Sequence, residues 1–147
     1  MSEIRPISQS DIGPLIQMMI AMRLESPSLA ASVTVDVERT WANIKTMIDN
    51  ETLVGVIADG GCMLGIIGPN WYSSRVEAFE QMLYVKPEKR GTMLGIRLIG
   101  MFENIAIERG AAAVHVGSST GISDERTARL YERKGYSRSG ISLSKEF

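Results

Sequence analysis

A single α/β or α+β domain, one sheet with helices packed on its faces, is the fold class this sequence predicts, and three observations carry it. Apolar periodicity changes along the chain in the order strand, two helices, a run of strands, then helix, strand, helix, strand. The 147 residues suit one domain, because domain sizes cluster near ~100–150 residues. Hydrophobic residues at 44% and charged residues at 22% are ordinary for a folded protein. Residues 1–147 are therefore expected to form one domain, without repeat, linker or low-complexity tract.

The elements follow in order. Ile4 to Ile7 alternates as a short strand, and Ser10 or Asp11 offers an N-cap for a first helix with Pro14 in its first turn, running to about Leu24. The Ser- and Pro-rich ESPSLAASVTVD reads as a loop ending at Asp36, which caps a second helix through about Ile48. Val37, Trp41, Ile44 and Ile48 recur every three or four residues and predict one apolar face. Thr52 to Ala58 and Cys62 to Ile67 are β-rich runs joined by Asp59-Gly60-Gly61, a hairpin signal.

Gly68 to Val76 reads as a loop whose Trp71 and Tyr72 need packing somewhere, and Ala78 to Val85 resumes as a strand stopped by Pro87. Leu94, Leu98, Phe102 and Ile105 share one face of a helix from Thr92 to about Arg109, closed by Gly110 as a C′ glycine. Ala113 to Gly117 is a short strand, Asp124 to Lys134 a helix closed by Gly135, and Ser139 to Ser144 a terminal strand.

Composition excludes several function classes. Sixteen Lys plus Arg against 17 Asp plus Glu give a net charge of −1, so no overall basic field draws nucleic acid. Cys62 is the one cysteine and His115 the one histidine, which excludes an intramolecular disulfide and argues against a zinc site. Cys62 lies in the apolar CMLGII and reads as a small buried residue. His115, in the apolar strand AAAVHVGSS, reads as a satisfied core residue. No apolar run approaches the ~20 residues of a bilayer span and MSEIRPISQSD has no signal-peptide core, so the expectation is a cytoplasmic protein without a membrane partner.

The stretch LYVKPEKRGTMLGIRLI, Leu83 to Ile99, joins a strand to a helix through a short loop with basic residues and glycine. That is the form of an anion site, because a helix N-terminus presents unpaired N–H groups and partial positive charge. Arg90, Gly91, Thr92, Met93, Leu94 and Gly95 would supply backbone donors, Lys89 and Arg90 would add charge, and Gly91 would let the backbone come close. The chain has neither GxxxxGK[ST] nor GxGxxG with a later acidic residue, which argues against nucleotide-triphosphate and dinucleotide loops.

A second motif, DERTARLYERKGY, Asp124 to Tyr136, follows after the next strand. Together, LYVxPxxRGxxxG and this helix resemble the GNAT superfamily of N-acetyltransferases, in the expected order and separation. RGxxxGxRLI with ERTARLYERxGY looks most like a subset met in bacteria and their phages. The resemblance implies a mixed, mostly antiparallel twisted sheet flanked by about four helices. It also implies acetyl-CoA as cosubstrate without a metal, with Leu83, Tyr84 and Val85 lending backbone groups to pantetheine and the loop holding the pyrophosphate. Two places depart from the family pattern: Met93 stands for the inner glycine of the loop, and Asp124 and Thr127 stand for an asparagine and an alanine that contact the coenzyme.

By the same resemblance, an amine attacks the thioester directly in a ternary complex and Tyr131 protonates the departing thiolate, as a phenol of pKa near ~10 can at neutral pH. Strand alternation puts Glu77, Phe79 and Gln81 on the active face and points Glu80 away, so Glu77 is the first choice for a base acting through water and Glu80 the second; a bulge would swap the two. Trp71 and Tyr72, with Met22, Arg23 and Glu25, are candidates for the acceptor wall. The resemblance leaves the amine acceptor unidentified and allows a homodimer. Two rivals remain: an idle acyl-CoA-binding or interaction domain with the same fold, and a nucleotide-binding module using the same loop.

Overall fold

The computed structural model describes residues 3–28 and 33–147. Part of the expected Ser- and Pro-rich loop, residues 29–32, lies outside them. Five strands form one sheet in the order β1 (Arg5–Pro6), β2 (Leu53–Ala58), β3 (Gly61–Pro69), β4 (Val76–Val85) and β5 (Ala113–His115). The first four pair antiparallel in succession and β5 joins β4 in parallel, so the sheet is mixed and mostly antiparallel. Four helices flank it: α1 (Ile12–Glu25), α2 (Val37–Asp49), α3 (Leu94–Glu108) and α4 (Asp124–Arg133). Among the described residues, no helix is long and apolar enough to cross a membrane.

Local chemistry places the helix ends. The Asp36 carboxylate accepts from Arg39 N at 3.0 Å and caps α2. Gly110 and Gly135 follow α3 and α4 at φ of 90° and 96°, the left-handed region in which a helix end closes without a Cβ penalty. At the entry to α1, Asp11 ends a 3-10 turn and turns its buried carboxylate to Arg5, at 2.6 and 2.7 Å, and to Ser8 N at 2.8 Å. That ties β1 to the start of α1.

The core has a layer on each sheet face. Leu94, Leu98, Ile99, Phe102 and Ala106 of α3 pack with Val54, Val56, Met63, Ile67, Ala78 and Tyr131. On the other face, Leu15 and Met18 of α1 cover Leu53, Ile57, Cys62, Leu64, Met82 and Tyr84. Ile12, Ile16 and Ile44 join α1 to α2.

Four expectations are corrected. Ser139 to Ser144 is not a strand: residues 137–147 have no regular structure, because no backbone ladder pairs them with β5. Trp71 and Tyr72 are not packed in a core but stand 94% and 71% exposed, edge-on to each other at 5.3 Å, in the turn between β3 and β4. Val37 and Trp41 are about half exposed, so only Ile44 of the expected α2 face is buried. His115 is no core residue: its edge strand leaves it exposed, stacked on Phe79 with ring centroids 4.8 Å apart.

Candidate active site

The site begins with a break in strand pairing. Across β3 and β4, Gly65 pairs with Glu80 but Leu64 pairs with Met82, so Gln81 has no partner and β4 carries a bulge. The consequence is visible in the core. Ala78 packs on the α3 side, whereas Met82 and Tyr84 pack on the α1 side, although unbroken alternation would put all three on one face. Gly65 makes the bulge feasible, because a Cβ there would collide with the carbonyl oxygen of Phe79 and lie 3.0 Å from the Phe102 ring.

The bulge decides which carboxylate meets Tyr131. Glu80 shares its face with Ala78, the face of α3 and α4, and there it takes a hydrogen bond from Gly117 N at 3.2 Å. Burial pushes its carboxyl up to about 7, against the pull of that N–H. Tyr131 is 3% exposed and its hydroxyl has no hydrogen-bond partner among the described residues. Burial first, and the negative charge of Glu80 second, push the phenol above its ordinary value, so it holds its proton.

Glu77 and Phe79 occupy the opposite face. Glu77 accepts from Asn70 Nδ2 at 2.8 Å and Arg75 Nε at 3.2 Å, with His115 Nε2 at 3.3 Å. These partners, Asn70 foremost, hold its carboxyl below the usual range. An anion so well held is a weak proton acceptor, and it is Glu80, on the α3 and α4 face, whose charge acts on Tyr131. Gln81, expected to share the face of Glu77, is the bulge residue and follows neither alternation.

Below this pair the sheet opens. Pairing of β5 with β4 ends at Phe79 with His115, while β4 runs on to Val85. The gap continues into a groove of about 620 Å³ between the end of β4, the start of α3 and the length of α4. Leu83, Tyr84, Val85, Lys89, Arg90, Gly91, Thr92, Met93, Gly95 and Thr127 all line it. Gly91 stands at φ 78°, a conformation that L side chains rarely adopt. Thr92 Oγ1 donates to Lys89 O at 2.6 Å and accepts from Leu94 N at 3.2 Å, folding the loop onto the helix start. The N–H groups of Gly95 and Ile96, in the first turn of α3, have no partner inside the helix and belong to groove-lining residues. Met93 is 65% exposed at the groove lining.

Two expected coenzyme residues lie outside the groove lining. Leu94 is 7% exposed in the core, and its N–H is already taken by Thr92. Asp124 turns to its own loop, accepting from Ser118 Oγ at 2.7 Å and Gly121 N at 3.2 Å. Arg90 lines the groove but is already engaged. Its Nε donates to Val85 O at 2.9 Å, and its guanidinium makes a two-pronged ion pair with Glu25, one arm at 2.7 Å. Arg90 therefore ties the end of β4 to the end of α1. Met22 also lines this groove, while Arg23 Nε donates to Val33 O at 3.1 Å.

Sequence reasoning missed the most basic wall. Arg126, Arg129 and Arg133 line the groove along α4. Their spacing of three and four residues puts them on one helical stripe, and that spacing is the signal that could have found them. With Lys89 and Arg90 they make five basic side chains, and no Asp or Glu is among the lining residues. A chain of net charge −1 thus concentrates positive charge where backbone donors converge, a setting for a polyanion. Among the described residues, no cluster of three or more His, Cys, Asp or Glu is placed to hold a metal ion.

The comparisons with known proteins agree with this geometry. An acetyltransferase from Trypanosoma brucei is 20% identical with a TM-score of 0.74, over 100% of both chains. Glucosamine-6-phosphate N-acetyltransferase from Arabidopsis thaliana is 17% identical with a TM-score of 0.74, over 100% of this chain and 99% of that one. A predicted acetyltransferase with acetyl-CoA from Clostridium acetobutylicum is 16% identical with a TM-score of 0.74, over 99% of this chain and 96% of that one. At such identities these likenesses establish the fold. No curated protein sequence matches the chain significantly. The model of the acetyltransferase (GNAT) family matches residues 18–136, most of the chain including both walls of the groove, and the protein belongs to that family.

Proposed function

We propose that this chain transfers an acetyl group from acetyl-CoA to a primary amine by direct attack in a ternary complex. The observation that carries the reading is the groove with five basic side chains at the end of β4, and it is supported by Glu80 and Tyr131, a carboxyl that burial pushes up to about 7 near a phenol that keeps its proton.

In this reading Lys89, Arg126, Arg129 and Arg133, with the backbone of Gly91 to Ile96, hold the phosphates, and the unpaired edge of β4 at Leu83 and Tyr84 holds the amide-bearing arm. The carbonyl of Val85 is occupied by Arg90. Glu80, as its carboxylate, removes a proton from the incoming ammonium or from the attacking amine, directly or through a water. The amine nitrogen bonds to the thioester carbon, the carbon–sulfur bond breaks, and Tyr131 gives its proton to the departing sulfur. The phenolate then regains a proton from the base or solvent. Cys62 offers no acyl-enzyme route, because it is fully buried and burial pushes its thiol up to about 12.

The test is mass spectrometry of a panel of amines incubated with acetyl-CoA and protein. A product heavier by one acetyl group, with free CoA released, supports the reading. Tight CoA binding without any product supports an idle binder, and displacement of CoA by ATP supports a nucleotide module.

A further inference from the structure

Phe79 and His115 form the last paired rung between β4 and β5, and their rings stack with 17° between planes. Both stay exposed. Ile66, opposite Phe79 in β3, is 41% exposed although it lies within the sheet. Two rungs along, on the same face, Gly68 pairs with Glu77, and a Cβ built on Gly68 would meet no atom within 4 Å. Ile66, Phe79 and His115 thus make an uncovered, partly aromatic floor on the α1 side of the sheet, with a notch at Gly68.

The charge on this strip is already matched. Among its described side chains Glu77 alone is acidic, and Asn70, Arg75 and His115 engage it at 2.8, 3.2 and 3.3 Å. An acceptor carrying several ammonium groups finds no uncommitted carboxylate there and meets the guanidinium of Arg75. A flat apolar body finds a ring stack that it can extend.

The strip also ends at the proposed chemistry. Glu80, the next residue of β4, accepts from Gly117 N at 3.2 Å, and β5 no longer pairs with β4 at that level. One residue of strand spans only ~3.3 Å, so an amine on a short link from a ring lying over Phe79 enters the opening between the strands beside Glu80.

We propose that the acceptor is a monoamine joined by a short alkyl link to an aromatic ring, the ring lying on Phe79 and His115 and filling the notch at Gly68. This rests on the acetyltransferase reading above. The amine nitrogen bonds to the acetyl carbon and gives its proton to the Glu80 carboxylate, the carbon–sulfur bond breaks, and Tyr131 protonates the sulfur.

Release of CoA thiol from acetyl-CoA is measured with 2-phenylethylamine, ethylamine, spermidine and kanamycin as acceptors. The kcat/KM for 2-phenylethylamine is expected to exceed that for each of the others by about tenfold or more, the value of burying much of one ring. Gly68→Leu, which fills the notch, and Phe79→Ala, which removes half of the stack, should each cut the preference for 2-phenylethylamine over ethylamine by about tenfold. The KM for acetyl-CoA should hold, and a wild-type thermal shift with CoA shows that each variant is folded. Transfer to the other amines without preference for the aryl one overturns this proposal and leaves the acetyltransferase reading standing. An unchanged preference in both variants also overturns it, because the ring then lies elsewhere. No transfer to any amine, with CoA bound, overturns both.

Discussion

Gly65 stands opposite Glu80 in the β3–β4 ladder, one position before Gln81 drops out of the pairing. The glycine and the carboxylate form one device: the missing Cβ lets Phe79 O and Phe102 crowd in, and the bulge thus accommodated turns Glu80 toward Tyr131. Gly65→Ala should destabilise the fold by about 1–3 kcal/mol, as overpacking does. Thermal melts check this, and a variant of unchanged melting temperature would mean that β4 can bulge without the glycine.

Glu80→Gln keeps the shape and removes the base. Turnover should fall by ~10²–10⁴ while the KM for acetyl-CoA moves little. In the wild type, kcat should rise as pH passes upward through about 7, as Glu80 loses its proton, and this limb should vanish in the variant.

The same carboxyl makes a stability prediction of defined sign. Its folded value, about 7, lies above the ordinary 4.5, so between those values the folded state binds the extra proton. Stability must fall as pH rises through that window and level off above about 7. Glu80→Gln should therefore melt higher than the wild type at pH 8 and gain less at pH 5.

Tyr131→Phe separates catalysis from packing. The hydroxyl has no hydrogen-bond partner among the described residues, so its loss removes no bond and the melting temperature should hold or rise. Turnover should fall by ~10²–10⁴ if the phenol protonates the leaving sulfur. Unchanged turnover would leave that proton to water.

The phosphate wall gives a graded binding series. CoA at a hundredfold excess over its dissociation constant should stabilise the protein by about 2.7 kcal/mol. Arg126→Ala and Arg133→Ala should each reduce the thermal shift by weakening attraction alone, whereas Arg90→Glu should abolish it, because it also breaks the tie to Glu25 and Val85. Met93→Gly should bind CoA as well as the wild type or better, since the backbone N–H survives the change.

Much of this was legible in the sequence because it depends on near neighbours. Asp36 before Val37, the glycines after Arg109 and Lys134, and the apolar stripe Leu94, Leu98, Phe102 each act within a turn or two, so local order suffices to read them. The two motifs carried the family for the same reason: Gly91 and the start of α3 form one contiguous backbone cradle.

What the sequence left open depends on pairing across the chain. Whether Glu77 or Glu80 meets Tyr131 turns on one unpaired residue in β4, and a bulge belongs to two strands at once, so no alternation in one of them discloses it. That Arg90 pairs with Glu25, 65 positions away, cannot be read from the local sequence. Arg126, Arg129 and Arg133 are a solvated helix face until α4 lies along the opening between β4 and β5. His115, Trp71 and the residues from Ser139 onward were expected to be covered because their types favour burial, but burial needs a covering layer, and only the tertiary arrangement of strands and helices decides where a layer exists.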